Sequence, residues 1–305
     1  MLDNVFKERR EERGVAPKPP ARRSFPVSAA LLVPLLLLLL VLLITYLFGW
    51  ISLDRRDPFD LLEEARAASG ERRALVAFEL SRLESFDLPE QDRRRFVQEV
   101  ARLLQDEAGG DARVRRALTL VLGRIGDASP LPALVAAAED GDVDTRVYAL
   151  WALGACGGPQ ALEPLLEHLQ DDDPTARKTA AFALGELRDA RARPALRIAL
   201  QDAAPDVSWN AAISLARLGD AAALPVLLPL LAMQAGADLP APQAEELRIN
   251  VVRSLRGMHV ESVKAALEKA AGSDPSARVR SEALLALQGR APTPFGGTPD
   301  VAAPR

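Results

Sequence analysis

The most constraining feature of this sequence is a repeat of about 31 residues. Four segments align without gaps, and each has the apolar spacing typical of one amphipathic helix. They are VRRALTLVLGRIGD from Val114, TRVYALWALGACGG from Thr145, ARKTAAFALGELRD from Ala176 and VSWNAAISLARLGD from Val207. Gly123, Gly154, Gly185 and Ala216 then share one column, at spacings of 31, 31 and 31. A unit of this size cannot bury its apolar face alone, so neighbouring units must stack on a common core.

A column of arginines accompanies the repeat. Two further units, LRINVVRSLRGMHV and VRSEALLALQGR, continue it, and RRALVAFELSRL forms a divergent first unit. Arginine stands eight residues before the column residue in six of the seven units, at Arg73, Arg115, Arg146, Arg177, Arg248 and Arg280, and Ser208 is the exception. Because arginine and glycine recur from unit to unit, we interpret both columns as structural. We expect Asp111, Asp142 and Asp173 to cap helix starts and to pair with arginines between stacked units.

Each unit is expected to contain two helices. A Gly/Asp turn follows the first helix, and the second often opens with a proline, as at Pro132, Pro164, Pro194 and Pro225. Proline is tolerated there because a first-turn amide has no helical partner. The sequence therefore predicts an all-α fold, a right-handed α-solenoid of helix pairs.

The recurring arginine, alanine and glycine columns resemble the HEAT repeat family, specifically the short HEAT-like repeats of the phycobilisome-lyase type. The resemblance covers about 112–290, with 71–107 as a divergent cap. It implies a solenoid whose concave surface binds other proteins, and it does not imply catalysis. Deoxyhypusine hydroxylase, a HEAT-like enzyme, holds iron with repeated His-Glu pairs, which this chain lacks. A bilin-lyase-type accessory role remains the alternative function.

Few residues are suited to chemistry. A single cysteine, Cys156, excludes an intramolecular disulfide, and it aligns with Ile125 and Leu187, which indicates a small buried side chain. His168 is interpreted as a histidine packed between repeats rather than a ligand. We predict no catalytic, cofactor-binding or metal-binding residue and no cofactor. From Asp54 onward the chain has 31 basic and 38 acidic residues, a net charge of −7, which disfavours nucleic acid as a partner.

The amino-terminal part differs from the rest. Residues 27–53 contain no charged side chain, and ten leucines lie between Leu31 and Leu43. This pattern predicts a transmembrane helix over 27–51, an uncleaved signal anchor that contacts the lipid bilayer. Seven basic residues precede the span and five follow it closely, which favours a cytoplasmic amino terminus and a periplasmic or other extracytoplasmic repeat domain.

The predicted organisation is a basic tail over 1–26, the span over 27–51, a juxtamembrane linker or helix over 52–70, the HEAT-like domain over 71–290 with about six or seven units, and a disordered tail over 291–305.

Two features interrupt the repeat. Trp209 follows Ser208 in a column of mixed residues, which makes it a candidate partner-binding residue, although packing against an adjacent helix is an alternative. About nine extra residues near 233–246 form an insertion. The predicted function is a noncatalytic, membrane-tethered scaffold that binds a protein partner.

Overall fold

The protein is described by a computed structural model that covers Pro34 and residues 36–45, 56–86, 88–233, 236 and 239–289. The chain divides into two compact units, Met1–Arg56 and Asp57–Arg305. Over the described ranges the backbone forms helices, turns and loops, without a strand. The predicted all-α fold is confirmed for these residues. The predicted tails, 1–26 and 291–305, lie outside them.

The predicted transmembrane helix over 27–51 is a point that the structure corrects. Within that range the structure describes Pro34 and residues 36–45, which are helical. Among the described residues, no helix combines the length and the apolar character needed to cross a bilayer. The prediction of a single-pass membrane protein that contacts the bilayer through 27–51 is therefore wrong, and the orientation argument for an extracytoplasmic repeat domain loses its basis. Residues 27–33, 35 and 46–51 lie outside the described part.

The second unit is a succession of helices. Their bounds are α1 Pro58–Ala67, α2 Gly70–Ser81, α3 Glu90–Asp106, α4 Ala112–Ile125, α5 Leu131–Ala138, α6 Val143–Cys156, α7 Leu162–Glu167, α8 Pro174–Leu187, α9 Arg193–Ala199, α10 Pro205–Arg217, α11 Leu224–Leu231, α12 Ala241–Leu255, α13 Glu261–Ser273 and α14 Ala277–Leu287. Short 3₁₀ turns at Pro159–Ala161, Ala190–Ala192 and Ala221–Ala223 lead into α7, α9 and α11, and a fourth, His168–Gln170, follows α7.

These helices form two rows. The even-numbered helices α2 to α14, which we call the arginine row because the arginine column lies on them, each pack against the next even-numbered helix. The odd-numbered helices form a covering row, in which each helix packs on the even-numbered helix that follows it. Buried leucines, valines and alanines of both rows form one continuous core. The helix pairs therefore stack as the repeat requires.

Capping aspartates begin three helices of the arginine row. Asp111 accepts a hydrogen bond from the backbone N–H of Arg113 at 2.9 Å, Asp142 from that of Thr145 at 2.9 Å, and Asp173 from that of Thr175 at 2.7 Å. Each bond satisfies an amide that has no partner within the helix. The capping role predicted for these three aspartates is confirmed.

The glycine column marks where adjacent helices of the arginine row cross closely. A Cβ added at Gly154 would lie 2.7 Å from the Cβ and 2.8 Å from the Cα of Ala183 on the next helix. Gly123 meets Trp151 and Ala152 in the same way, and Gly185 meets Ser214. Helix α10 has Ala216 in this column and packs less extensively on α12 than on α8. Close stacking therefore extends from α4 to α10 and then relaxes.

Candidate functional site

The arginine column forms a ladder of ion pairs along one edge of the second unit. Each central arginine uses Nε and Nη2 to bind both oxygens of an aspartate in the loop before the next helix of the arginine row. The Nε–Oδ2 distances are 2.6 Å for Arg115–Asp140, 3.1 Å for Arg146–Asp171, 2.8 Å for Arg177–Asp202 and 3.0 Å for Arg248–Asp274. The third nitrogen donates to a carbonyl of the preceding loop, as Arg146 Nη1 does to Asp140 O at 2.9 Å. Each arginine therefore joins two successive inter-repeat loops.

The end members of the column have different partners. Arg73 Nη1 donates to Glu107 Oε2 at 2.7 Å, and Arg280 Nη1 donates to the carbonyl of Asp274 at 2.7 Å. The central ladder pairs differ from the expected ones, because Asp111, Asp142 and Asp173 do not bind the ladder arginines. Of the three, Asp142 does pair between stacked units, with Arg116. The carboxylates that do bind the ladder arginines lie about 25 residues after each arginine, a separation that follows from the helix pair in between.

Ser208 interrupts the ladder, and its partner position changes with it. Each arginine–aspartate pair forms one rung of the ladder. The residue 25 positions after Ser208 is Met233, where the other rungs have aspartate. Ser208 Oγ instead donates to the carbonyl of Leu200 at 2.8 Å, and the carbonyl of Met233 accepts from Arg248 Nη1 at 2.9 Å. Both members of one ion pair are replaced, so this interruption leaves no unpaired ladder charge.

A second ion pair is also altered beside the interruption. In the regular pattern, seen two repeats before the interruption, Arg116 binds Asp142 at 2.7 Å and Asp144 at 3.0 Å. At the interruption, Lys178 stands in the position of Arg116, Ala204 in that of Asp142 and Asp206 in that of Asp144. Lys178 and Asp206 form no ion pair with each other or with any other residue that the structure describes. Ala204 provides no side-chain cap for α10. Lys178 on α8 and Asp206 on α10 thus have no ion-pair partner among the described residues.

An open cleft of about 670 Å³ lies at this interruption. Its walls come from the starts of α8 and α10 and from the insertion after α11. The lining residues are Pro174, Thr175, Lys178, Ala204, Pro205, Asp206, Trp209, Met233, Gly236 and Leu239. Trp209 is half-buried against the core and still lines the cleft. The structure therefore brings Trp209 together with Met233, Gly236 and Leu239 of the insertion, while Gln234, Ala235, Ala237 and Asp238 lie outside the described residues.

Three cleft residues were not singled out from the sequence. Asp206 lies three residues before Trp209 and so on the same face of α10, and Lys178 occupies the position of Trp209 one repeat earlier. The replacement of aspartate by Met233 was detectable in the 31-residue alignment. It becomes informative only when the partner of each arginine is known.

The chain's cysteine and its described histidines offer no comparable site. Cys156 is buried, its Sγ lies 3.7 Å from the carbonyl of Leu122, and burial raises the pKa of its thiol to about 12. This confirms the interpretation of Cys156 as a buried side chain. His168 is buried between two carboxylates, with Nδ1 3.2 Å from Asp171 Oδ2 and Nε2 3.3 Å from Glu139 Oε1. Within the described ranges, no group of three or more His, Cys, Asp or Glu could hold a metal ion.

Comparisons with known proteins agree with this architecture. The HEAT repeats family model matches residues 100–182 and 162–239. A structure of the CpcE–CpcF complex of phycocyanin lyase from Nostoc sp. PCC7120 is similar at 22% identity and a TM-score of 0.54, over 76% of this chain and 86% of that chain. An archaeal HEAT-like repeats protein from Thermococcus onnurineus NA1 has 14% identity and a TM-score of 0.44, over 77% of this chain and 97% of that chain. A search of curated proteins found no match. Residues 100–239 therefore match the HEAT repeats family model, within an all-helical repeat fold.

Proposed function

We propose that the second compact unit, Asp57–Arg305, is a noncatalytic scaffold that binds a protein partner at the cleft beside Trp209. The observation that supports this most is the coincidence of three departures from the repeat at one place. The ion pair of the ladder is replaced by Ser208 and Met233, the indole of Trp209 is partly exposed, and the insertion adds a wall. At Arg115, Arg146, Arg177 and Arg248 the same edge is closed by paired charges. Insertions in repeat proteins commonly lie on the binding face.

The residues that line the cleft also favour a protein as the bound partner. Tryptophan contributes a large rigid contact area, and interface hot spots are enriched in it. Prolines at the starts of α8 and α10 leave little conformational freedom to lose on binding. Thr175, Lys178 and Asp206 provide the polar rim that surrounds an apolar centre in typical interfaces.

Site-specific photocrosslinking in the native cells tests the proposal. A photoreactive residue replaces Ala204 of the cleft lining in the full chain, and in a matched control it replaces Ile198, an exposed residue of α9 outside the cleft lining. We expect one discrete crosslinked protein from position 204 and none of the same mass from position 198. Addition of Trp209→Ala weakens capture roughly 30-fold, the equivalent of a hot spot of about 2 kcal/mol. Equal crosslinking from both positions contradicts the proposal.

The same experiment separates a scaffold from an accessory protein of the bilin-lyase type. The accessory role predicts that the captured protein bears a covalent chromophore, visible as absorbance above the protein band. A scaffold predicts a captured protein without such absorbance.

A further inference from the structure

The apolar part of the cleft lining contains three rigid rings. Trp209 contributes its indole, Pro174 and Pro205 contribute two rings fixed at the first turns of α8 and α10, and Met233 and Leu239 add further apolar surface. Rigid aromatic and proline rings lose little side-chain entropy when another proline ring packs against them.

The polar groups around this apolar lining suit an extended backbone. Lys178 and Thr175 on α8 provide donors, and the indole N–H of Trp209 is a further donor. A polyproline II segment has no internal hydrogen bonds, so its carbonyls are free to accept from such donors. A helical occupant satisfies its own carbonyls along most of its length and leaves these donors unused.

Asp206 adds a preference for a positively charged group on the bound segment. It lies on the same face of α10 as Trp209, is exposed at the rim, and forms no ion pair with a described residue. A carboxylate beside an indole favours a cation, which can pair with the acid and lie over the ring. The net charge of −7 from Asp54 onward attracts a basic segment at longer range.

We propose that this cleft binds an extended, proline-rich segment of a partner protein that carries a basic residue next to the prolines. The inference rests on the proposed function and specifies the chemistry of the partner. The prolines pack on Trp209 and the two cleft prolines, the backbone carbonyls accept from Lys178 and Thr175, and the basic side chain binds Asp206. Aromatic-lined grooves recognise proline-rich segments in this way in unrelated domains.

Fluorescence anisotropy with the full chain tests this inference. The probe is a short fluorescein-labelled polyproline peptide with one arginine at each end. A matched peptide has glutamate at each end, and a second has alternating glycine and serine between the arginines. We expect saturable binding of the arginine-flanked polyproline peptide, and binding at least roughly tenfold weaker for both matched peptides.

Variants of the full chain locate the binding. Trp209→Ala is expected to weaken the arginine-flanked peptide roughly tenfold or more, and Asp206→Asn is expected to abolish the preference for arginine over glutamate. Ile198→Ala, at an exposed position outside the cleft lining, leaves binding unchanged. Absence of saturable binding, equal binding of the glutamate-flanked peptide, or equal binding by Trp209→Ala overturns the inference.

The two proposals fail in different ways. If the chain does not bind the polyproline peptide but still gives a Trp209-dependent crosslink from position 204, the proline-rich partner is wrong and the partner-binding cleft stands. If the crosslink is absent as well, both proposals are overturned.

Discussion

The stack from α4 to α10 and the junction between α10 and α12 are built from the same repeat but differ in how they close. In the first region, arginine–aspartate pairs join successive loops, and glycines let neighbouring helices cross closely. At the junction, Ser208 and Met233 replace the pair and Ala216 stands in the glycine column. A cleft lies beside it, between the starts of α8 and α10 and the insertion that precedes α12. The comparison indicates that loss of one regular ion pair, if both partners change together, can accompany an open cleft without leaving a ladder charge unpaired.

The largest expected effect comes from breaking an intact rung on one side only. Arg177→Ser leaves Asp202 without its bidentate partner and is expected to lower the free energy of unfolding by about 3 kcal/mol. Arg177→Ser with Asp202→Met reproduces the natural interruption and is expected to cost less than the single change, because no lone carboxylate remains. Urea unfolding of the full chain measures both, and Lys269→Ser, at an exposed site on α13, serves as the control. A double variant less stable than the single one would contradict this account of the interruption.

The second effect concerns the close helix crossings. Gly154→Ala puts a Cβ within 2.8 Å of the Cα of Ala183, so α6 and α8 must move apart, at a cost of about 1–3 kcal/mol. Gly141→Ala is the matched control, because a Cβ there meets nothing within 4 Å. Thermal unfolding should show a lower Tm for Gly154→Ala and little change for Gly141→Ala. Equal Tm values for the two variants would mean that the glycine column is not a packing requirement.

The smallest effect on stability is expected from closing the interruption. Ser208→Arg with Met233→Asp restores the residue types of the other rungs and should raise the free energy of unfolding by about 1 kcal/mol or less. The same change alters the wall at Met233 and should reduce crosslinking from position 204. Urea unfolding and crosslinking yield, measured on one preparation, check both parts. A more stable variant with undiminished crosslinking would show that partner binding at the cleft does not depend on the interruption of the ladder.

Much of the fold could be predicted from the sequence because it depends on local spacing. The glycine column, the capping aspartates and the burial of Cys156 all follow from the position of a residue within its own unit. The partners of the arginines were assigned wrongly for a related reason. Asp142 is near Arg146 in sequence but is used as a cap, while Asp171 approaches Arg146 only after a whole helix pair has folded back. The membrane span was inferred from composition over 27–51, and no described helix has the required length.

The sequence by itself determined the repeat, the helix pairs and the position at which the pattern breaks, because each depends on side-chain periodicity along the chain. Only the tertiary structure decided what that break becomes. Lys178, Asp206, Trp209 and Met233 belong to three different elements, and the stacking of α8, α10 and the insertion brings them to one cleft. A contact between residues that are distant in the chain is decided by how helices pack, which residue types alone do not specify.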